Sequence, residues 1–325
     1  MYIRSEMIGF GRYLPEKIVT NDDLAQMVET SDEWIRTRTG IALRHIAAKG
    51  ETTSVLAGKA VENAIKDAGL TPQDVDLLIL ATVTPDNTTP SSAAKIAGAL
   101  GFRAGVPAFD ISAACSGFVY ALTLADNMIR LGQVKTAVIV GAECLSRIVD
   151  WTDRNTCVLF GDGAGAVVLR ATMQKGENAD TGVLSTCIYA DGSQYEHLKT
   201  NGGVSSTQTS GFVSMDGKEV FKHAVVSLSE AAENALKQAK LSKDDVNWLV
   251  PHQANIRIIE GVGERLGLPA EKVIVTVDHH GNTSAASIPL ALSENMESGR
   301  LHKGDVVVLT AMGAGFTWGG AVVRL

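Results

Sequence analysis

Residues 60–79 read AVENAIKDAGLTPQDVDLLI, and residues 231–250 read AAENALKQAKLSKDDVNWLV. Aligned without a gap, the two stretches share ten identical positions at an offset of 171, among them Glu62 with Glu233, Asn63 with Asn234, Lys66 with Lys237 and Asp74 with Asp245. Such an internal duplication constrains the fold before any motif is consulted. Each copy carries a helical apolar period, a polar turn and then a short apolar run suited to a buried strand, LLILATV at 77–83 and WLV at 248–250. Further buried-strand candidates are TAVIVG (136–141) and AVVLR (166–170) in the first half, with DVVVLTA (305–311) and AVVRL (321–325) in the second. Alternating helices and strands predict layers of an α/β fold. No Pro/Ser-rich or charged linker divides the chain, and KTNGGVSSTQTSG (199–211) reads as a surface loop. Two similar halves, 1–172 and 173–325, are expected to pack as one body.

With 325 residues and 45% hydrophobic content, the chain can bury a large core. A formal charge of −7 and a pI near 5.5 argue against a broad nucleic-acid surface, which needs an excess of Lys and Arg, while leaving room for a local basic patch. The cysteines at 115, 144, 157 and 187 form no CxxC pair and no metal-ligand spacing, so they read as reduced thiols and favour the cytoplasm. The N-terminal MYIRSEM lacks the apolar run of a secretory signal. Nor does any stretch stay apolar for the roughly 18 residues that a membrane span requires. Neither export nor a membrane is expected.

Cys115 lies in FDISAACSGFVYALTLADNMIRLG (109–132), where an extended FDI leads through small residues into a long helical pattern. That places the sulfur at a helix N-terminus, where unpaired N–H groups and the helix dipole stabilise a thiolate and are expected to lower the thiol pKa. A lone Cys is otherwise a small core hydrophobe, the reading given to Cys144, Cys157 and Cys187. His252 lies in WLVPHQANIRII (248–259): Pro251 ends the strand and NIRII opens a helical pattern, so the imidazole sits at a strand end. Asn282, in VDHHGNTSAASIPLAL (277–292), marks another strand-to-helix transition, where Asn alone reads as a helix cap. Cys, His and Asn thus occupy the same kind of junction in a duplicated framework, and such junctions converge on adjacent strands. Cys115 and Asn282 differ by 167, close to the repeat offset, which predicts pseudo-equivalent positions.

The glycine clusters FGDGAGAVVL (160–169) and MGAGFTWGGAVV (312–323) lead into strands, whereas a nucleotide cradle leads into a helix. Tight turns are expected instead, the second bringing backbone N–H groups near a substrate carbonyl. His279 and His280 have no third ligand at a matching spacing and read as structural, not metal-binding.

At these residues the sequence resembles the β-ketoacyl-acyl carrier protein synthase III family. The likeness spans nearly the whole chain and rests on TSDEWIRTRTGIALRHIA (30–47), FDISAACSGF (109–118), FGDGAGA (160–166), WLVPHQANIRII (248–259), GNTSAASIP (281–289) and GAGFTWGGA (313–321), in that order. The resemblance implies a thiolase fold with five layers, α-β-α-β-α, a homodimer, and a catalytic Cys115, His252 and Asn282. It also implies that Trp34 and Arg154 flank the adenine of coenzyme A, that Arg38, Phe221 and Asn255 line the channel for its pantetheine and nucleotide, and that Arg257 docks an acidic carrier protein. The turn holding Gly313 and Ala314 would bind the oxyanion. Some family members carry Phe where this chain has Thr89, in a loop that closes the acyl pocket across the dimer; a larger cavity and longer acyl primers are therefore expected. Met312 likewise stands where many relatives have Phe.

The implied reaction is decarboxylative condensation of an acyl-CoA with malonyl-acyl carrier protein, initiating fatty acid synthesis with no cofactor and no metal. Starter-unit condensation in a polyketide or signalling-molecule pathway would look almost identical. A papain-like cysteine hydrolase and a non-catalytic acyl-binding protein are the readings from other classes.

Overall fold

The structure is a computed structural model and describes residues 2–174 and 181–325. Its plan follows from the LLILA run. Leu77, Leu78, Ile79 and Leu80 are all fully buried, so their strand is covered on both faces. Alternate side chains go opposite ways: Leu77 and Ile79 pack with Phe118, Leu122 and Leu309, while Leu78 and Leu80 pack with Leu56, Val61 and Ile96.

Strands β1 (Tyr2–Tyr13), β2 (Leu77–Ala81), β3 (Ala108–Ile111), β4 (Thr136–Cys144) and β5 (Asp162–Gln174) form a sheet in the order β1-β5-β4-β2-β3. The second sheet joins β6 (Gly182–Ala190), β7 (Trp248–Pro251), β8 (Val306–Gly313) and β9 (Thr317–Arg324) in the order β7-β8-β9-β6. A parallel bridge from Leu249 to Val273 occupies the place beside β7 that β3 holds beside β2. Directions match as well: β2 and β4 run parallel as do β7 and β8, and the remaining pairs of each sheet are antiparallel apart from β2 with β3.

Three apolar clusters hold five layers together, the middle one reaching from the first sheet through the central helices to the second. Helices α2 (Thr53–Asp67) and α3 (Ser92–Ala99) cover the outer face of the first sheet. Helices α4 (Gly117–Arg130) and α7 (Ser287–Glu297) lie between the sheets, and α5 (Gly217–Ala239) with α6 (Ile256–Leu266) cover the outer face of the second. This is the α-β-α-β-α thiolase arrangement. The remaining N-terminal helix of functional interest, α1 (Asp32–Thr39), packs against α6.

The duplicated residues perform matched tasks. Asp74 accepts from the Thr71 amide at 2.8 Å and Asp245 from the Ser242 amide at 2.7 Å, each capping the short turn ahead of its strand. Asp76 accepts from the Thr136 amide at 2.9 Å and its counterpart Asn247 from the Val306 amide at 2.8 Å, so each copy ties its entering strand to its neighbour.

One expectation changes. FGDGAGAVVL is not a tight turn but the body of β5, and its glycines admit a helix: a Cβ on Gly165 would lie 2.4 Å from the Leu290 amide nitrogen of α7. β5 runs on to Gln174. The 199–211 segment leaves a short strand, Leu198–Thr200, that pairs with Val213–Met215 around an exposed loop.

Candidate active site

A cavity of about 1230 Å³ is lined from both halves, and Cys115, His252, Asn282, Gly313 and Ala314 all face it. Ala114 opens the turn Ala114–Ser116 at φ 46°, a left-handed backbone that lifts Cys115 to the mouth of α4. The turn is clamped to the β8–β9 connection, where Thr317 Oγ1 donates to the Ala113 carbonyl at 2.9 Å and Ser116 Oγ to Thr317 Oγ1 at 2.8 Å. A Cβ on Gly313 would stand 2.5 Å from the Cys115 nitrogen, so the two backbones touch only because residue 313 is glycine.

The expected lowering of the Cys115 pKa is overturned. Its sulfur opens on the cavity, yet protein encloses it otherwise, and desolvation pushes the thiol up to about 12; Ser284 lowers it and the charge of Glu143 raises it. The helix terminus is there, but burial outweighs it.

His252 follows β7 and is 3% exposed. Desolvation brings its pKa down to about 3, so the ring is neutral. Nδ1 lies 2.7 Å from Ser287 Oγ, which also accepts from the Gln253 amide at 3.3 Å. Among the described residues Nδ1 is the only acceptor within reach of the Ser287 hydroxyl proton, which assigns the ring proton to Nε2.

Asn282 Oδ1 accepts from the Ser284 amide at 2.9 Å, which leaves the Nδ2 protons as its cavity-side donors. Its backbone is held by Leu159 and Gly161, at 2.8 and 3.0 Å. The predicted equivalence of Cys115 with Asn282 does not hold. Ser284, at φ 50°, opens the turn Ser284–Ala286 before α7 just as Ala114 does before α4, so Cys115 matches Ala285 and Asn282 matches Ser112.

At the outer end, Trp34 has the Arg38 guanidinium 4.8 Å and the Arg154 guanidinium 4.9 Å from its ring centre. Arg38 lines the cavity; Arg154 does not, and donates to the Glu29 carbonyl at 2.9 Å. Phe221, Asn255 and Arg257 line the cavity, with Arg257 over the Phe221 ring at 5.2 Å and Asn255 capping α6 through the Ile258 amide at 3.1 Å. Thr89 is exposed and lies outside this chain's cavity, which Asn87, Thr88 and Ser91 reach. Its substitution therefore cannot widen the cavity from within one chain. Met312 is buried beside it.

His279 and His280 do meet a third group, Glu294 of α7, with each Nε2 3.0 Å from one of its oxygens. Arg12 Nη1 also lies 2.9 Å from Glu294, and two neighbouring carboxylates raise His279 to about 9. A guanidinium and a protonated imidazole on the same carboxylate make an ion-pair cluster, unfavourable for a further cation.

Sequence reading missed Ser284, Ser287 and Glu143. Only Glu143 left a visible trace, as a carboxylate inside the otherwise uncharged and wholly buried strand TAVIVGAEC.

Residues 109–192 match the family 3-oxoacyl-[acyl-carrier-protein (ACP)] synthase III, and residues 236–325 match that family's C-terminal part. The beta-ketoacyl-[acyl-carrier-protein] synthase III of Paramagnetospirillum magneticum is 58% identical over 325 residues, covering 100% of both chains. The solved 3-oxoacyl-[acyl-carrier-protein] synthase III of Aquifex aeolicus is 46% identical with a TM-score of 0.92, over 99% of this chain and 100% of that one. The priming beta-ketosynthase of the R1128 polyketide pathway is 35% identical with a TM-score of 0.92, over 100% and 97%. Full-length identity at this level shows that the chain belongs to the beta-ketoacyl-[acyl-carrier-protein] synthase III family.

Proposed function

We propose that the chain starts fatty acid synthesis by moving an acyl group from acyl-CoA to Cys115 and then to the carbanion left when malonyl-acyl carrier protein loses carbon dioxide. As a member of its family it is a condensing acyltransferase. The observation that carries the proposal is the pairing of two neutral donors, His252 Nε2–H and Asn282 Nδ2–H, on the cavity that Cys115 enters.

Attack of Cys115 on the primer thioester develops an oxyanion, which the Cys115 amide and the 313–315 turn would hold. Coenzyme A leaves. The malonyl thioester oxygen then sits between His252 and Asn282, whose hydrogen bonds stabilise the enolate formed on decarboxylation. Neutral donors suit this step: an Asp would repel the charge, and an imidazole that burial holds neutral, with its pKa near 3, donates from the Nε2–H that its Ser287 contact assigns. The enolate carbon attacks the acyl-cysteine and regenerates the Cys115 sulfur. A hydrolase would need that imidazole as a base toward water, which its assigned tautomer disfavours.

Arg38, Lys199, Lys218 and Arg257 line the cavity and make it cationic despite the net negative chain, which suits a phosphorylated coenzyme and an acidic carrier protein. Trp34, with Arg38 and Arg154 on its ring, offers a surface for adenine. The coenzyme enters as substrate, so the chemistry calls for no resident cofactor. β3 has only one sheet neighbour among the described residues, and its residues are half-buried. Pairing of that edge with a second copy gives the homodimer we propose, and is the route by which Thr89 would reach an acyl pocket. The cysteines are free, as expected of a cytoplasmic chain, and no described helix is long and apolar enough to cross a membrane. The likeness to the R1128 enzyme keeps polyketide starter condensation as the second reading.

The test uses radiolabelled acyl-CoA and malonyl-acyl carrier protein. Cys115→Ala should take up no label. Asn282→Ala should label normally and fail in condensation; equal loss of both half-reactions would refute the assigned division of roles.

A further inference from the structure

Arg44, on the short strand Leu43–His45, is the largest fully buried side chain of the described residues, and its guanidinium bonds to neutral oxygens instead of a carboxylate. Nη1 donates to Asn21 Oδ1 at 2.8 Å and to the Val19 carbonyl at 3.2 Å, and Nη2 donates to the Val158 carbonyl at 2.9 Å. Nε, also buried, has no partner among the described residues. Burial lowers the group to about 10, so it stays a cation at neutral pH. A buried cation with no counter-ion in contact is a poor device for stability, because an apolar side chain of like volume fills the space without the desolvation penalty. What a guanidinium adds is direction: a rigid fork of donors that joins one segment to another.

The joined segments lead to Asn282. Val158 precedes Leu159, whose carbonyl accepts from the Asn282 amide at 2.8 Å, and the Asn282 carbonyl accepts from the Gly161 amide at 3.0 Å, closing a parallel bridge. The stem of Arg44 packs against that bridge. A Cβ on Gly161 would lie 3.2 Å from the Arg44 Cβ, and one on Gly281 would lie 3.1 Å from it, so both glycines leave room for the stem. Ala42, just before the same strand, donates to the Asp278 carbonyl at 2.7 Å. On the far side, Asn21 Nδ2 donates to Asp32 Oδ1 and to the Ile41 carbonyl, both at 2.8 Å, which anchors Arg44 to the start of α1. Cys115 and His252 are held elsewhere, Cys115 by the Thr317 clamp and His252 by the Thr310 carbonyl, which accepts from its amide at 2.8 Å.

We propose that Arg44 is a positioning residue for condensation: it holds the bridge that aims the Asn282 carboxamide at the enolate oxygen, and it has no part in the acylation of Cys115. The inference rests on Asn282 as an enolate donor.

The test is Arg44→Lys, which keeps the charge but replaces the fork by one ammonium that cannot span Val19, Asn21 and Val158 together. Single-turnover labelling of Cys115 at saturating acyl-CoA should stay within about threefold of native. Condensation of preacylated enzyme with malonyl-acyl carrier protein should lose at least about tenfold in kcat with KM within about threefold, a misplacement near 1 Å being worth about a hundredfold. A crystal structure of the variant reads the cause directly, since Asn282 Nδ2 should move by about 0.5–1 Å relative to His252 Nε2 and Cys115 Sγ. A merely structural Arg44 would lower the melting temperature and slow both half-reactions alike or neither, which overturns the proposal. An Asn282 that has not moved overturns it too, whatever the kinetics. A displaced Asn282 with native condensation would overturn the proposal together with the enolate role of Asn282. If Arg44→Lys does not fold, Asn21→Ala, which removes an acceptor of Nη1, decides by the same readouts, with a condensation loss of at least about threefold.

Discussion

Gly313→Ala should cripple acylation while leaving the fold in place. The new Cβ would lie 2.5 Å from the Cys115 nitrogen and 2.9 Å from the Ala114 Cβ, whereas ordinary contact begins near 3.4 Å. The two backbones must separate by about 0.9 Å, the difference between 3.4 and 2.5 Å. Neither yields easily: Ala114 is held at φ 46°, and Thr317 pins the Ala113 carbonyl at 2.9 Å. The displaced amide is the one assigned to the oxyanion, and a misplacement near 1 Å costs about a hundredfold in rate, or about 2.7 kcal/mol of barrier. Overpacking should cost about 1–3 kcal/mol of stability, a modest fall in melting temperature. Transfer of a labelled acyl group to Cys115, followed by rapid quench, reads the rate. A folded variant that acylates within about threefold of native would show that the contact does not position the nucleophile.

His252 is neutral in the native state because burial holds its pKa near 3, whereas the unfolded chain takes up a proton below about 6.5. The unfolded state then binds more protons between those values, so stability falls as pH falls, by about 3 kcal/mol at pH 4.5. Urea unfolding at pH 7 and 4.5 should show this loss in the native protein and not in His252→Gln; equal losses would contradict it. Trp34→Ala removes the ring shared by Arg38 and Arg154 and should raise KM for acyl-CoA about 5- to 30-fold, from two cation–π contacts of about 0.5–1 kcal/mol each. Condensation from preacylated enzyme should be unchanged, and a matching fall there would place Trp34 in the second half-reaction instead.

Strand runs, the duplication and the three junction residues were legible in the sequence because each is a local pattern. LLILA reads as a doubly covered strand from its own residues, and Asp74 and Asp245 cap turns only three residues long. Cys115, His252 and Asn282 stand out because strand-to-helix junctions are written in small residues and a Pro. Protonation was not legible. The helix terminus beside Cys115 is a local feature and predicts a lower pKa, but desolvation sums over every layer packed around the sulfur and has the opposite sign. Ser287 reaches His252 across 35 positions within the second half, and Ser284 reaches Glu143 across 141 from one half to the other, so the tautomer and the bond to the buried carboxylate exist only once distant segments have packed. The exposure of Thr89 is likewise a matter of which surface the loop meets, decided by tertiary packing and not by the identity of the residue.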